Sequence, residues 1–576
     1  MKPAAGNLKA CCGPYVHEPN FDGNPGAVMS VCKLWMVNEA WSCPYGMSAV
    51  WAVILCAVFI AFFLFVSLRA ERSHSNSSVA WKLLFASVLL VTLFSCCSWL
   101  YPNNPWDDSN VFMSIGKSMK HGMLLYRDIF DQKGVALFLI HQMACYVSEH
   151  SFLGIYLLEI ICFWGFLVYS YRIMRLFTEN AITLPLTIFW GTLFIASDFF
   201  WYGDSVEELS LPILSYSLFH ILRFVKDNQV PKVWQSFLLG VGIGVIFWMK
   251  YTLLTFYAGA LMGMVIVACR KKQLALLCKP LVWIFAGLLS VTTLVVAYFI
   301  YHGTLSEMLD AYFYTNIFQY HGSASNGEPA GIWFKFVKLA ICAILILPVA
   351  ITKVRRDVKL PVLCAYSFQL LSYALLTLHL YYFIPLFVYA PLVVYFLRNH
   401  RATRLTYVSM AGIVLLAAVT NFNIVSLLSG RFQNTVVKCA EIINEDSSAN
   451  KKVLTFCSRD TGIYLLTDQL PPNKFFFVPN LILPDIRDNQ AQTIEQGDIK
   501  YLIRKDDKNK NVVPFYETEV PDDYELIFHG QEVFRHRFLI NPLMFLWNLG
   551  YTQPLLKGIV EPEREYQDML LYRKRQ

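Results

Sequence analysis

The chain has 576 residues, of which 56% are hydrophobic, 15% aromatic and only 15% charged, with a mean hydropathy of +0.44. Soluble domains run near a quarter charged, so a soluble multidomain enzyme is excluded for most of the length, as are disorder, collagen-like repeats and a small disulfide-stapled module. The formal net charge of +7 then reads as basic loops on the inner side of a membrane, not as a nucleic-acid surface.

In chain order, residues 1–46 come first, with Cys11, Cys12, Cys32 and Cys43 among scattered Gly and Pro. They show no amphipathic period and no cleavable signal pattern, and stay unassigned; Met47 is a candidate translation start. Residues 47–428 alternate apolar stretches of roughly 17 to 22 residues with charged loops, the length that crosses about 30 Å of hydrocarbon as helix. The expected fold is therefore a polytopic α-helical membrane protein with about twelve spans. They lie near 48–68, 82–100, 152–171, 183–199, 209–224, 236–249, 252–269, 281–301, 332–351, 361–378, 380–397 and 406–427.

Loop charge orients these spans. Arg69, Arg72 and Lys82, then Arg172 and Arg175, then Arg223, Lys226 and Lys232 fall in alternate loops, and Arg270 to Lys279, Lys353 to Lys359 and Arg398 to Arg404 continue the series. Keeping a break at Lys250 puts all six on the cytoplasmic side of a plasma (inner) membrane. The remaining loops and the tail then lie outside. Outer loop 101–151 is long enough to be functional, with amphipathic helices expected over 108–123 and 135–147. Outer loops 197–208 and 302–331 are shorter.

Residues 430–576 carry 19 of the 48 Lys and Arg and 21 of the 41 Asp and Glu, and read as a small extracytoplasmic α/β domain. Strands are expected at 452–457, 475–478 and 501–503 and as a late pair at 525–528 and 569–572, with a helix at 460–466. Cys439 and Cys457 are candidates for a disulfide there.

Acid and base cluster in the outer loops. Asp107 and Asp108 follow the second span, and Arg127, Asp128, Asp131 and Lys133 come about 20 residues later in the same long loop. Such a grouping at a membrane surface suits binding of a lipid phosphate and deprotonation of an acceptor, although charges are also ordinary in a solvated loop. Glu207 and Glu208 open a span, where the helix dipole alone favours acids. Lys250 ends a span on the outer side and either snorkels or pairs with a phosphate. His379, Tyr381 and Tyr382 sit at an outer span end, where packing is the ordinary role of a lone His. Gly240, Gly242 and Gly244 lack the preceding strand of a dinucleotide fingerprint and read as close helix packing. No CxxC pair points to zinc.

The Asp107-Asp108 pair, the Gly122 to Asp128 segment (Gly-x-x-x-Tyr-x-Asp), Asp131 with Lys133, Glu207-Glu208 before Leu-x-Leu-Pro, and a Gly-rich span ending in Lys250 together resemble the GT-C glycosyltransferases. The similarity is to the bacterial group of protein O-mannosyltransferases and lipid A aminoarabinose transferases, and it covers roughly 102–396 by order and topology. It implies transfer of one sugar, a hexosyl or pentosyl group, from a polyprenyl-phosphate carrier on the outer face. Asp107 or Asp108 would be the base, with Asp131 assisting. Lys133, Lys250 and Arg127 would hold the donor phosphate, and Glu207, Glu208, His379 and Tyr382 would orient acceptor or carrier. Two departures stand out: an extra span precedes the family's usual first one, and Gln132-Lys133-Gly134-Val135 replaces the Lys-Pro-Pro of many relatives. Paired carboxylates also suit Mg²⁺ or Mn²⁺. The competing readings are a twelve-span transporter, weakened by scarce midplane charge apart from Glu159, and a non-catalytic scaffold presenting its tail. Membrane lipids and the lipid-linked donor are the expected partners, the acceptor is open, and no nucleic acid is expected.

Overall fold

The computed structural model describes residues 44–68, 76–319, 356–375, 380–397, 402–428, 435–479, 485–507, 519–535 and 564–575. The expected span 332–351, His379 and residues 1–43 lie outside the described residues.

The apolar stretches fold as helices whose ends follow local chemistry. α1 (Pro44–Leu68) and α2 (Asn76–Phe94) lead into the long connection 95–152, which holds α3 (Asp107–Lys120) and α4 (Val135–Val147). Then come α5 (Leu153–Arg175), α6 (Thr183–Ile195) and α7 (Val206–Asp227). The Ser205 hydroxyl starts α7 by accepting from the Glu208 N–H at 3.0 Å, and Asn228 ends it in the left-handed region at φ 53°. α8 (Val233–Met249) stops at Lys250, whose backbone is extended (φ −159°, ψ 95°), and a 3₁₀ turn over Tyr251–Leu254 restarts the chain as α9 (Thr255–Arg270). The break expected at Lys250 is therefore physical.

α10 (Ala275–Tyr301) packs tightly along α8. A Cβ on Gly240 would stand 1.9 Å from the Ile284 carbonyl oxygen, and one on Gly287 would stand 2.1 Å from that of Phe237. The glycines are helix-packing residues, as their pattern suggested. α11 (Leu305–Leu309) and a π-helical stretch (Asp310–Gln319) follow. After the undescribed segment come α12 (Arg356–Leu375), a 3₁₀ stretch over Leu380–Val393 that runs into α13 (Val394–Leu397), α14 (Arg404–Thr420) and α15 (Phe422–Leu428).

Among the described residues, four helices are long and apolar enough to cross a membrane: Val50–Leu68, Leu153–Arg175, Tyr251–Arg270 and Ala275–Tyr301. The bent pair Arg404–Thr420 and Phe422–Leu428 makes a fifth if taken as one span. Ser78–Phe94, Thr183–Ile195, Val233–Met249 and Tyr381–Leu397 are apolar but shorter. These criteria do not reproduce a count of twelve. Large apolar side chains such as Val282, Phe285 and Leu294 on α10 face outward, as a lipid-facing helix requires.

The tail begins with α16 (Thr435–Glu445), followed by β1 (Val453–Thr455), α17 (Ile463–Leu466), α18 (Asp485–Glu495), β2 (Tyr501–Asp507), β3 (Tyr524–Arg535) and β4 (Arg564–Lys574). The sheet order is β1-β2-β4-β3, with β1 parallel to β2 and the other pairs antiparallel. Leu454, Ile486, Ile494 and Leu502 form a small core of its own. Residues 475–478 form no strand. Gln490 donates its amide to the Phe475 carbonyl at 2.8 Å, and the Phe475 ring lies 5.3 Å from Phe130 of the outer loop, so tertiary packing overrides the β-type composition. Cys439 and Cys457 sit in different apolar clusters and are not bonded to one another.

Candidate active site

The long connection between α2 and α5 delivers most of the candidate site. α3 begins with Asp107 and Asp108 in its first turn, after Trp106, which makes no side-chain cap. Beyond α3, Gly122 (φ 92°) turns the chain, and Tyr126, itself at φ 70°, is buried against Phe299 with ring centroids 5.7 Å apart. The Tyr126 hydroxyl donates to the Lys133 carbonyl at 2.6 Å, and the Gly134 N–H donates to the Met249 carbonyl at 3.2 Å. A Cβ at Gly134 would lie 2.0 Å from the Trp248 carbonyl oxygen. Only glycine lets the Lys133 backbone approach the end of α8, where Lys250 stands.

The Lys133 ammonium lies between two carboxylates, 3.7 Å from Asp108 and 3.6 Å from Asp131. It also sits 4.8 Å over the Phe112 ring. Asp131 is buried, which pushes its carboxyl up, while Lys133 opposes the shift through its charge and its N–H bond at 2.9 Å. Lys250 pairs with Glu207, which is 2% exposed, and its ammonium lies 4.0 Å over the Tyr382 ring. Tyr382 is within electrostatic reach of Glu207, Asp108 and Lys133. Tyr381 joins Tyr382 at 4.7 Å and Trp106 at 5.2 Å between ring centroids. Lys133, Lys250, Asp108 and the rings of Trp106, Tyr381 and Tyr382 thus cluster at one end of the helices.

Not every expected residue converges there. Asp107 turns to the tail and pairs with Lys505 of β2 at 3.0 Å. Arg127 is half exposed and holds its neighbour Asp128 with two bonds of 2.7 and 2.9 Å. Glu208, one residue and about 100° round the helix from Glu207, points inward toward Glu159, and neither of its carboxylate oxygens has a hydrogen-bond partner among the described residues.

Each of Asp107, Asp108 and Asp131 already faces an ammonium, whereas Mg²⁺ or Mn²⁺ needs converging oxygens. Glu149, His150 and Asp468 do bring ligand atoms within 4.8 Å of one another, but this group stands at the far end of α3. That is roughly 20 Å from Asp107 by helix rise. There Lys120 and His121 hold Glu149, and Lys117 holds Asp468.

No family model and no curated protein matches the chain. Fourteen chains of known structure are similar. One is ArnT from Cupriavidus metallidurans bound to undecaprenyl phosphate, which is 9% identical, with a TM-score of 0.48 over 86% of this chain and 97% of that one.

Several residues of the site region carry no local signal. Lys505 and Asp460 come from the tail: Ser114 of α3 donates to Asp460 at 2.7 Å, and Lys117 reaches the Tyr464 carbonyl at 3.1 Å. His141 is the lone His, Asp, Glu, Lys or Arg of the apolar α4 and was open to notice on that ground. It is fully buried against Asp204, in the loop before α7.

Proposed function

We propose that this chain is a multi-pass plasma (inner) membrane glycosyltransferase that moves a sugar from a polyprenyl-phosphate-linked donor to an acceptor on the outer face. The observation that carries the reading is the convergence of Lys133 and Lys250 with Asp108 and the Tyr381-Tyr382 pair at the outer ends of the helices. A phosphate leaving group needs positive charge, not a proton donor, and a hydroxyl nucleophile needs a base. In this reading the acceptor oxygen forms its bond to the anomeric carbon while the bond from that carbon to the phosphate oxygen breaks. The hydroxyl proton passes to Asp108, and the phosphate leaves as an anion between Lys133 and Lys250. Asp131 and Glu207 hold the two lysines, and the aromatic rings form a wall for the sugar.

Asp108 is preferred over Asp107 as the base because Asp108 stands beside Lys133 and Tyr382, whereas Asp107 turns away to Lys505 of the tail. Residues 430–576 are taken as an extracytoplasmic α/β domain that covers α3. A reporter active only outside the cytoplasm, fused after Gln576, should be active. Purified protein in liposomes should transfer labelled sugar from a polyprenyl-phosphate donor to an added acceptor fraction. EDTA should leave the rate unchanged; loss restored by Mg²⁺ or Mn²⁺ would place a cation in the site. Donor-independent uptake of solute with no transfer would return the chain to the transporter reading.

A further inference from the structure

His141 and Asp204 are both fully buried, and neither lies among the groups placed against donor or acceptor above. The His141 Nδ1 is 2.8 Å from the Leu137 carbonyl, and Nε2 is 3.0 and 3.1 Å from the two Asp204 oxygens. The Leu137 carbonyl can only accept, so Nδ1 carries a hydrogen, and Nε2 shares a hydrogen bond with the Asp204 carboxyl group. Burying two ionisable groups costs desolvation and is a poor device for stability alone.

What the pair holds is specific. The Ser109 hydroxyl, adjacent in α3 to Asp108, donates to Asp204 Oδ2 at 2.5 Å. Asp204 takes a left-handed backbone (φ 62°) and donates its N–H to Glu159 Oε1 at 2.8 Å. A Cβ at the preceding Gly203 (φ 90°) would stand 2.4 Å from that same Glu159 oxygen. The next residue, Ser205, caps α7, whose first turn carries Glu207 to Lys250. On the other side Phe112 packs edge-on against His141, with centroids 5.3 Å apart, and separates it from Lys133. One buried pair therefore sits where the supports of Asp108 and of Lys250 meet.

We propose that His141 and Asp204 are positioning residues that set the spacing between the base and the phosphate-binding lysines, through Ser109 on one branch and the Ser205 cap on the other. This rests on the transferase reading. Ser109→Ala cuts one branch and leaves the ion pair intact. It should lower kcat at least tenfold, keep donor KM within twofold and leave the melting temperature unchanged. Asp204→Asn should lower kcat further. Nitrogen-15 NMR of labelled histidine should show the His141 Nε2 resonance shift in Asp204→Asn and keep its wild-type position in Ser109→Ala. Wild-type rates in both variants, or a His141 Nε2 resonance unmoved in Asp204→Asn, would overturn the positioning role while the transferase stands. Absence of transfer by the wild type would overturn the transferase reading and the positioning role with it, and the NMR signature would then report only the buried pair.

Discussion

Asp107 and Lys505, 398 positions apart in sequence, meet at 3.0 Å, while the adjacent Asp108 faces Lys133. The first turn of α3 thereby splits two identical side chains between two tasks. Asp108→Asn should lose about 10² to 10⁴ in transfer rate with normal expression, the range for removal of a general base. Asp107→Asn should keep most of its activity. It should also loosen the tail, read as faster proteolysis at the tail junction, and Lys505→Met should do the same. The double variant of Asp107 and Lys505 should be no worse than either single one, because a partly exposed pair of this kind contributes about 0 to 1 kcal/mol. Equal, near-wild-type rates in Asp107→Asn and Asp108→Asn would remove catalysis from this turn.

Much of this region is readable from sequence because the signal is local. The apolar period placed α3 and α4 within a few residues of their observed bounds, and the glycine spacing in α8 announced a close helix contact. Trp106, not an acid, holds the cap position of α3, without a side-chain bond, and a distant lysine takes Asp107. Nothing in local composition encodes the meeting of Asp107 with Lys505, or of Ser114 with Asp460, since such pairings arise only when the tail docks. The run 475–478 misleads for a related reason. Its aromatic residues suit a strand, but the surface that claims them is the outer loop and α18.

Lys250 is not a dispensable anchor, because its partner Glu207 is buried. Lys250→Met should both weaken donor binding and destabilise the protein, since stranding a buried charge costs about 3 to 5 kcal/mol. Adding Glu207→Gln should recover much of the melting temperature but none of the donor affinity. Donor titration of the double variant checks this. Recovery of affinity along with stability would confine Lys250 to a structural role.

Burial raises the Asp460 carboxyl from 3.8 to about 6, against the opposing bonds from Ser114 and Gly462. The folded chain therefore binds this proton more tightly than the unfolded chain. The resulting stability is complete below about pH 4 and is lost as the pH rises through about 6, at a cost of about 3 kcal/mol for two units. Asp460→Asn stays neutral throughout. Its melting temperature should match the wild type near pH 4 and exceed it near pH 8. A difference independent of pH would mean that Asp460 is as acidic folded as unfolded.

Gly134 offers the most direct test of the link between the loop and α8. A methyl group there would stand 2.0 Å from the Trp248 carbonyl oxygen and 2.5 Å from its carbon, both backbone atoms that cannot swing aside. Gly134→Ala must therefore push the Lys133 segment away from Met249 and Lys250, losing the 3.2 Å Gly134 to Met249 bond. Overpacking of this kind costs about 1 to 3 kcal/mol. A displacement of even about 1 Å at a site that depends on positioning can cost about 10² in rate. Gly412→Ala serves as the control, because nothing lies within 4 Å of its added Cβ and it sits inside α14. Alanine there should be neutral or stabilising by up to about 1 kcal/mol. The expected result is a Gly134→Ala protein that still inserts and melts somewhat lower but transfers sugar at least tenfold more slowly. Wild-type transfer by Gly134→Ala would show that the spacing of Lys133 and Lys250 does not govern the reaction.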